Sequence, residues 1–279
     1  MTMTFDFYFA SVADVRVGAG SSAELGELAT KLGLQQALIV TDAGILGCGL
    51  LECALDSLKR CRVAFTIYSE VVADPPESSV LAAVAAARAA GCDGVIGFGG
   101  GSPMDVAKLV AVLLVGDQPL ADMYGVDRVR GPRLPLIQVP TTAGTGSEAT
   151  MVSIITTGET TKAGVVSRTL LADGIVLDAK LSLGLPPHIT AATGIDAMVH
   201  AIEAYTSVRL KNPLSDMLAR EALRLISQNI TRAVVDGGDL AAREAMLLGA
   251  MLAGQAFANA PVAAVHALGD CWAMGAAPV

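Results

Sequence analysis

The sequence is short of the residues that mark disulfide scaffolds, nucleic-acid binders and membrane spans. Its five cysteines, Cys48, Cys53, Cys61, Cys92 and Cys271, are odd in number and form no C-x-x-C pair. That usage suits reduced, structural thiols in a reducing compartment. Basic residues are scarce: 19 Lys and Arg stand against 27 Asp and Glu, for a formal net charge of −8. A phosphate backbone calls for a basic face, so nucleic acid is excluded as a partner. Long uncharged apolar runs are missing, because Arg88 interrupts Leu81 to Ala90 and the run from Leu109 to Val115 is too short to cross a bilayer. No membrane association is expected. The first residues, Met1-Thr2-Met3-Thr4-Phe5-Asp6, lack the basic and apolar regions of a secretory signal, so the expected location is cytoplasmic. No internal repeat or low-complexity block is present, and histidine occurs only three times.

What is abundant is apolar residue content, 53% of 279 residues, enough to bury a substantial core in one large domain or two ordinary ones. The first two thirds of the chain alternates short β-rich runs with alanine-rich helical stretches. Ala37 to Thr41, Ala64 to Tyr68, Gly94 to Phe98 and Pro135 to Pro140 read as strands, with Leu50 to Leu58 and Ser78 to Ala90 as helices between them. This βαβ rhythm predicts a parallel sheet. Ser153 to Thr157, Gly164 to Ser167 and Gly174 to Leu177 read as further extended pieces. Beyond Leu185-Pro186-Pro187 only helical periodicity continues, over Ile189 to Thr206, Leu214 to Ile230 and Leu240 to Ala258. The double proline is therefore the expected boundary between an α/β domain, 1–187, and an all-α domain, 188–279.

Two segments carry chemistry. Gly99-Gly100-Gly101-Ser102-Pro103-Met104-Asp105 joins a buried-strand pattern to a helix start. Glycines let the backbone approach a pyrophosphate, and the first helical amides offer donors and a positive dipole end. The other reading is a tight structural turn, which needs glycine for geometry alone. The second segment is Gly194-Ile195-Asp196-Ala197-Met198-Val199-His200, where a carboxylate and an imidazole four positions apart project from one helix face and could share a metal ion. Its bland alternative is an i,i+4 surface pair or a helix cap. The apolar flanks favour burial of both side chains, where an unpaired charge is costly.

Taken together, Gly99 to Asp105, Pro140-Thr141-Thr142-Ala143-Gly144-Thr145-Gly146-Ser147-Glu148, Gly194 to Glu203 and Val265-His266-Ala267-Leu268 resemble, in order and spacing, the iron-containing (group III) alcohol dehydrogenases. The resemblance reaches to about Leu268. It implies a dinucleotide-binding α/β domain, an all-helical domain and an active site in the cleft between them. It also implies that Gly100, Gly101, Ser102, Asp105, Thr141, Thr142, Thr145, Ser147 and Lys162 form the cofactor site. Asp42, by the same resemblance, faces the adenosine ribose. A carboxylate there accepts from free ribose hydroxyls and repels a 2′-phosphate, so NAD is expected over NADP; the competing role for Asp42 is a helix cap. Asp196, His200 and His266 match metal ligands, which makes them the expected catalytic residues through a bound Fe²⁺, or alternatively Zn²⁺, acting as a Lewis acid on a small alcohol or aldehyde. His188 matches no ligand position. Self-association into a homo-oligomer is left open.

The resemblance fades at the end of the chain. Family members carry another histidine about fourteen residues past the one matching His266, completing a four-ligand site. Helices on the order of a hundred residues also follow in the family. The expectation is a C-terminally truncated member with an incomplete helical domain, weak metal binding and little turnover. Two alternatives to the dehydrogenase stay open, a remnant that binds nucleotide only and a glycerol dehydrogenase-like oxidoreductase.

Overall fold

A computed structural model describes residues 6–158 and 161–261. Six strands, β1 (Asp14–Val17), β2 (Gln36–Val40), β3 (Ala64–Tyr68), β4 (Gly94–Gly99), β6 (Leu136–Pro140) and β9 (Gly174–Leu177), form one sheet in the order β1-β9-β6-β4-β2-β3. Every pairing in it is parallel. The helices α1 (Leu25–Lys31), α2 (Ala43–Gly47), α3 (Glu52–Arg60), α4 (Glu77–Ala90) and α5 (Gly101–Leu113) fall between the strands. Alternation along each strand divides the core in two. Leu38, Val40, Val95 and Leu136 join Val106 and Val110 of α5 and Val80 and Ala83 of α4 in one cluster. On the other side Ile39, Ile96, Phe98, Ile137 and Val139 pack with Leu25 and Leu28 of α1 and Ala54 and Leu58 of α3. Helix cover on both faces is why β4 and β6 are buried along their whole length and read as continuous apolar runs.

Two of the three extended pieces expected after residue 150 leave this sheet. β7 (Val152–Thr157) and β8 (Thr161–Val166) pair antiparallel, and β5 (Gly125–Val126) adds to β8 in a separate three-stranded sheet. The ribbon presents exposed residues such as Ile154 between buried ones, and such a half-solvated strand suits antiparallel pairing. The sequence reading contained no β1. Its charged alternation, Asp14 and Arg16 flanking Val15, belongs to an edge strand rather than a buried one.

The remaining region is helical: α6 (Pro187–Thr206), α7 (Pro213–Val235) and α8 (Leu240–Asn259), packed on one another. Pro187 occupies the first turn of α6, where its missing N–H costs no hydrogen bond. Asn212 and Asp239 cap α7 and α8 by accepting from Ser215 N–H and Ala242 N–H. His188 is exposed.

Candidate active site

In the order β1-β9-β6-β4-β2-β3, the chain runs outward from β2 to β3 and then returns to β4 on the other side of β2. The crevice beyond the carboxyl ends of β2 and β4 is the switch point at which open parallel sheets bind ligands. Three segments meet there: Asp42 after β2, Gly99 to Ser102 after β4, and Thr141 with Thr142 after β6. They line a cavity of about 470 Å³ with Asp42, Gly100, Gly101, Ser102, Thr141 and Thr142 on its wall. Asp42 does cap α2, with Oδ1 accepting from Ile45 N–H at 2.9 Å. The cap and the cavity wall are thus two uses of one side chain.

A second, larger cleft of about 640 Å³ shares Gly101 and Ser102 with the first. Asp105, Thr145, Ser147, Lys162, Asp196 and His200 line it. A pyrophosphate set on the Gly101–Ser102 amides at the start of α5 would leave the two halves of a dinucleotide in adjoining hollows. An added Cβ at Gly101 would meet Thr145 Cγ2 at 2.9 Å, so glycine there lets the two loops close on each other.

The floor of the larger cleft is a polar cluster around a lysine. Lys108 is fully buried on α5, and its Nζ donates to Ser147 Oγ at 2.8 Å, Thr150 Oγ1 at 3.1 Å, the Val152 carbonyl and Asp105 Oδ1 at 3.3 Å. Ser147 Oγ in turn donates to Asp105 Oδ1 at 2.6 Å, and Ile154 N–H donates to Asp105 Oδ2. Burial pulls the Lys108 ammonium below its ordinary value, against the opposing pull of Asp105 and Glu148. Glu148, also buried, is pushed by desolvation up to about 7. Asp105 and Ser147 are therefore fixed by this network, while Lys162 sits at the cleft wall in an ion pair with Asp74 at 2.9 Å.

On α6, Asp196 Oδ1 and His200 Nε2 lie 3.9 Å apart at i,i+4 spacing and line the same cleft. The expectation that both are buried holds for His200 alone. The Asp196 side chain is 41% exposed, because it borders the open cleft rather than the helical core. Phe257 of α8 packs against the His200 imidazole with ring centroids 4.6 Å apart. Ligand bonds of about 2.1 Å let a carboxylate oxygen and an imidazole nitrogen at this spacing reach one divalent ion after a small side-chain rotation. Two donors of the required chemistry thus fit; no cluster of three or more occurs among the described residues, and His266 lies outside them. Sequence reasoning missed Lys108, Thr150, Asp74 and Phe257. Only the fold brings the first two together with Ser147, and nothing in the apolar periodicity of α8 distinguishes Phe257 from a core residue.

Known proteins share this sequence and fold. The chain is 45% identical over 255 residues to long-chain-alcohol dehydrogenase 1 of Geobacillus thermodenitrificans, covering 90% of this chain and 64% of that protein. It thus spans a little under two thirds of that relative's length. The structure matches a 1,3-propanediol oxidoreductase with TM-score 0.92 and 35% identity, over 97% of this chain and 72% of the other. It also matches sulfoacetaldehyde reductase from Bifidobacterium kashiwanohense, solved in complex with NAD⁺, with TM-score 0.88 and 31% identity over 95% and 70%. The sheet region, residues 13–179, fits the family model for iron-containing alcohol dehydrogenase, and residues 190–277 fit the family's C-terminal model. With the glycine turn at the switch point and the Asp–His face sharing one cleft, and with both regions matched, the chain belongs to the iron-containing alcohol dehydrogenase family.

Proposed function

We propose that the protein is an NAD-dependent, metal-dependent alcohol dehydrogenase that interconverts a small alcohol with its aldehyde or ketone. The observation that carries this reading is the shared cleft, which brings Gly101 and Ser102 to one end and Asp196 and His200 to the other. Asp196 and His200, together with His266, would hold Fe²⁺, or alternatively Zn²⁺; bound there it supplies Lewis acidity toward the alcohol oxygen, while the dinucleotide supplies the hydride acceptor. The Gly101 and Ser102 amides would bind the pyrophosphate, aided by the N-terminal dipole of α5. Thr141, Thr142 and Gly100 would line the adenosine side, and Thr145, Ser147, Asp105 and Lys162 the nicotinamide side. The Lys108 network holds Asp105 and Ser147 in place, and the Phe257 ring packs against the His200 imidazole. We place the boundary between cofactor and metal regions at 187/188, at the start of α6, and the protein in the cytoplasm, in keeping with four free thiols among the described residues. The nucleotide-only alternative is not favoured, since the helical region matches its own family model.

Asp42 gives the reading its sharpest test. Its second carboxylate oxygen is available to ribose hydroxyls while the first caps α2. The purified protein, supplied with excess Fe²⁺ to offset the weak binding expected of it and assayed over a panel of primary alcohols, should reduce NAD slowly but in preference to NADP, and Asp42→Gly should narrow that preference on the order of tenfold, or about 1.4 kcal/mol. Equal use of both cofactors by the unmodified protein, or no NAD-linked turnover on any alcohol, would overturn it.

A further inference from the structure

The loop from Thr141 to Ser147 faces the cofactor hollows on one side and the helical region on the other. On the cofactor side Thr145 meets Gly101 and Ser147 bonds Asp105. On the helical side the contacts are with backbone atoms or, at Gly144, a Cβ, none of which a side-chain rotation can move. A Cβ added at Gly146, whose φ is +61°, would lie 2.6 Å from Gly254 Cα and 2.9 Å from the Ala250 carbonyl oxygen. One added at Gly254 would lie 2.5 Å from the Gly146 carbonyl oxygen, and one at Gly144 would lie 2.7 Å from Thr193 Cβ. No rotamer change relieves a clash with backbone, so these distances fix how closely the loop docks on α6 and α8. The docking points adjoin the metal face: Thr193 is three residues before Asp196 on α6, and Gly254 three before Phe257, which packs on His200.

We propose that Gly144, Gly146 and Gly254 are positioning residues whose backbone contacts set the spacing between the cofactor-cradling loop and the Asp196–His200 face. The proposal rests on the dehydrogenase reading above and adds to it which contacts hold the two halves of the site in reacting distance. Hydride transfer requires reacting atoms about 3–3.5 Å apart, and a displacement of about 1 Å costs on the order of 100-fold. Gly254 isolates the effect. It lies inside α8, where alanine is the better helix former, so Gly254→Ala improves local propensity while prising the loop away. Gly249 on the same helix serves as the packing control, because a Cβ there would press on the buried Ile226 side chain, 2.7 Å away on α7, rather than on the cofactor loop.

The test uses the Fe²⁺-loaded protein, its best alcohol from the panel and the 1,1-dideuterated form of that alcohol. Gly254→Ala is expected to keep its iron content and NAD affinity, to lose about 10- to 100-fold in kcat, and to show a larger deuterium isotope effect as hydride transfer becomes limiting. Gly249→Ala should keep kcat. Unchanged kcat in Gly254→Ala, a proportionate loss of iron or NAD affinity, or an equal kcat loss in Gly249→Ala would each overturn the proposal. Should Gly254→Ala be insoluble, Gly144→Ala with and without Thr193→Gly decides, since removing the opposing Cβ should restore turnover and failure to restore it overturns the proposal. Wild-type protein without NAD-linked turnover would instead bring down the dehydrogenase reading itself.

Discussion

The sheet region and the helical region are filled differently. Around the sheet, large side chains meet: Leu38, Ile39, Ile96, Phe98, Leu109, Ile137 and Val139 are all fully buried. Between the helices the fully buried members of one cluster are all alanine, Ala201, Ala204, Ala219, Ala222, Ala253, Ala256 and Ala260. Large residues bury more apolar area per side chain, while alanines let helix backbones approach closely. The sheet therefore draws stability from volume, whereas the helices add close alanine contact to a second cluster that holds Ile226, Met246, Leu247 and Met251. Function follows the same division. Under the proposed function, the cofactor side would work through backbone amides and loop ends, and the metal side through two side chains on one helix face.

The sharpest break should come on the metal side. His200→Ala removes one of two described donors, and since loss of mere outer-shell support costs ~10–100-fold, turnover should fall by at least about 100-fold with loss of iron, while circular dichroism stays helical. Retained iron in the variant would place the metal elsewhere and dissolve the functional half of the contrast.

Next in size is the packing contrast itself. Phe98→Ala should cost about 3–5 kcal/mol by opening a cavity in the sheet core, whereas the opposite change, Ala222→Leu, should cost about 1–3 kcal/mol by forcing α7 and α8 apart. Denaturant unfolding of both variants checks this. A freely tolerated Ala222→Leu would mean that the alanine cluster is not closely packed.

The most gradual effect concerns pH. Glu148, held by burial at about 7 in the folded chain against 4.5 unfolded, binds its proton more tightly when native. Its neutral form is thus accommodated fully below about pH 4.5, and stability falls as pH rises toward and through 7, by up to about 3 kcal/mol. Glu148→Gln should flatten that decline between pH 5 and 8, as thermal melts would show. An unchanged pH slope would assign the decline to other groups.

The parts legible in the sequence were those encoded locally. The Gly94 to Asp105 segment contains its own strand, turn and helix start, and Asp196 and His200 share a face by spacing alone. The β7–β8 ribbon was not recognised as a separate sheet, because short extended runs do not state their partners. Lys108 was invisible for a related reason. A lysine within Val106-Ala107-Lys108-Leu109 reads as a helix-surface residue until Ser147, Thr150 and Val152 arrive from far along the chain to accept its hydrogen bonds. The exposure of Asp196 escaped notice because apolar flanks identify a helix face without telling whether it borders a cleft.

If Asp42 both caps α2 and faces the ribose, as proposed, that double duty shapes how this site could drift over generations. A change to asparagine keeps an oxygen for the Ile45 amide and discards only the negative charge, so α2 would survive while discrimination against a 2′-phosphate weakened. A change to alanine forfeits both at once. Single substitutions that retune the coenzyme therefore differ in how much folding they put at risk, and the route through asparagine is the gentle one.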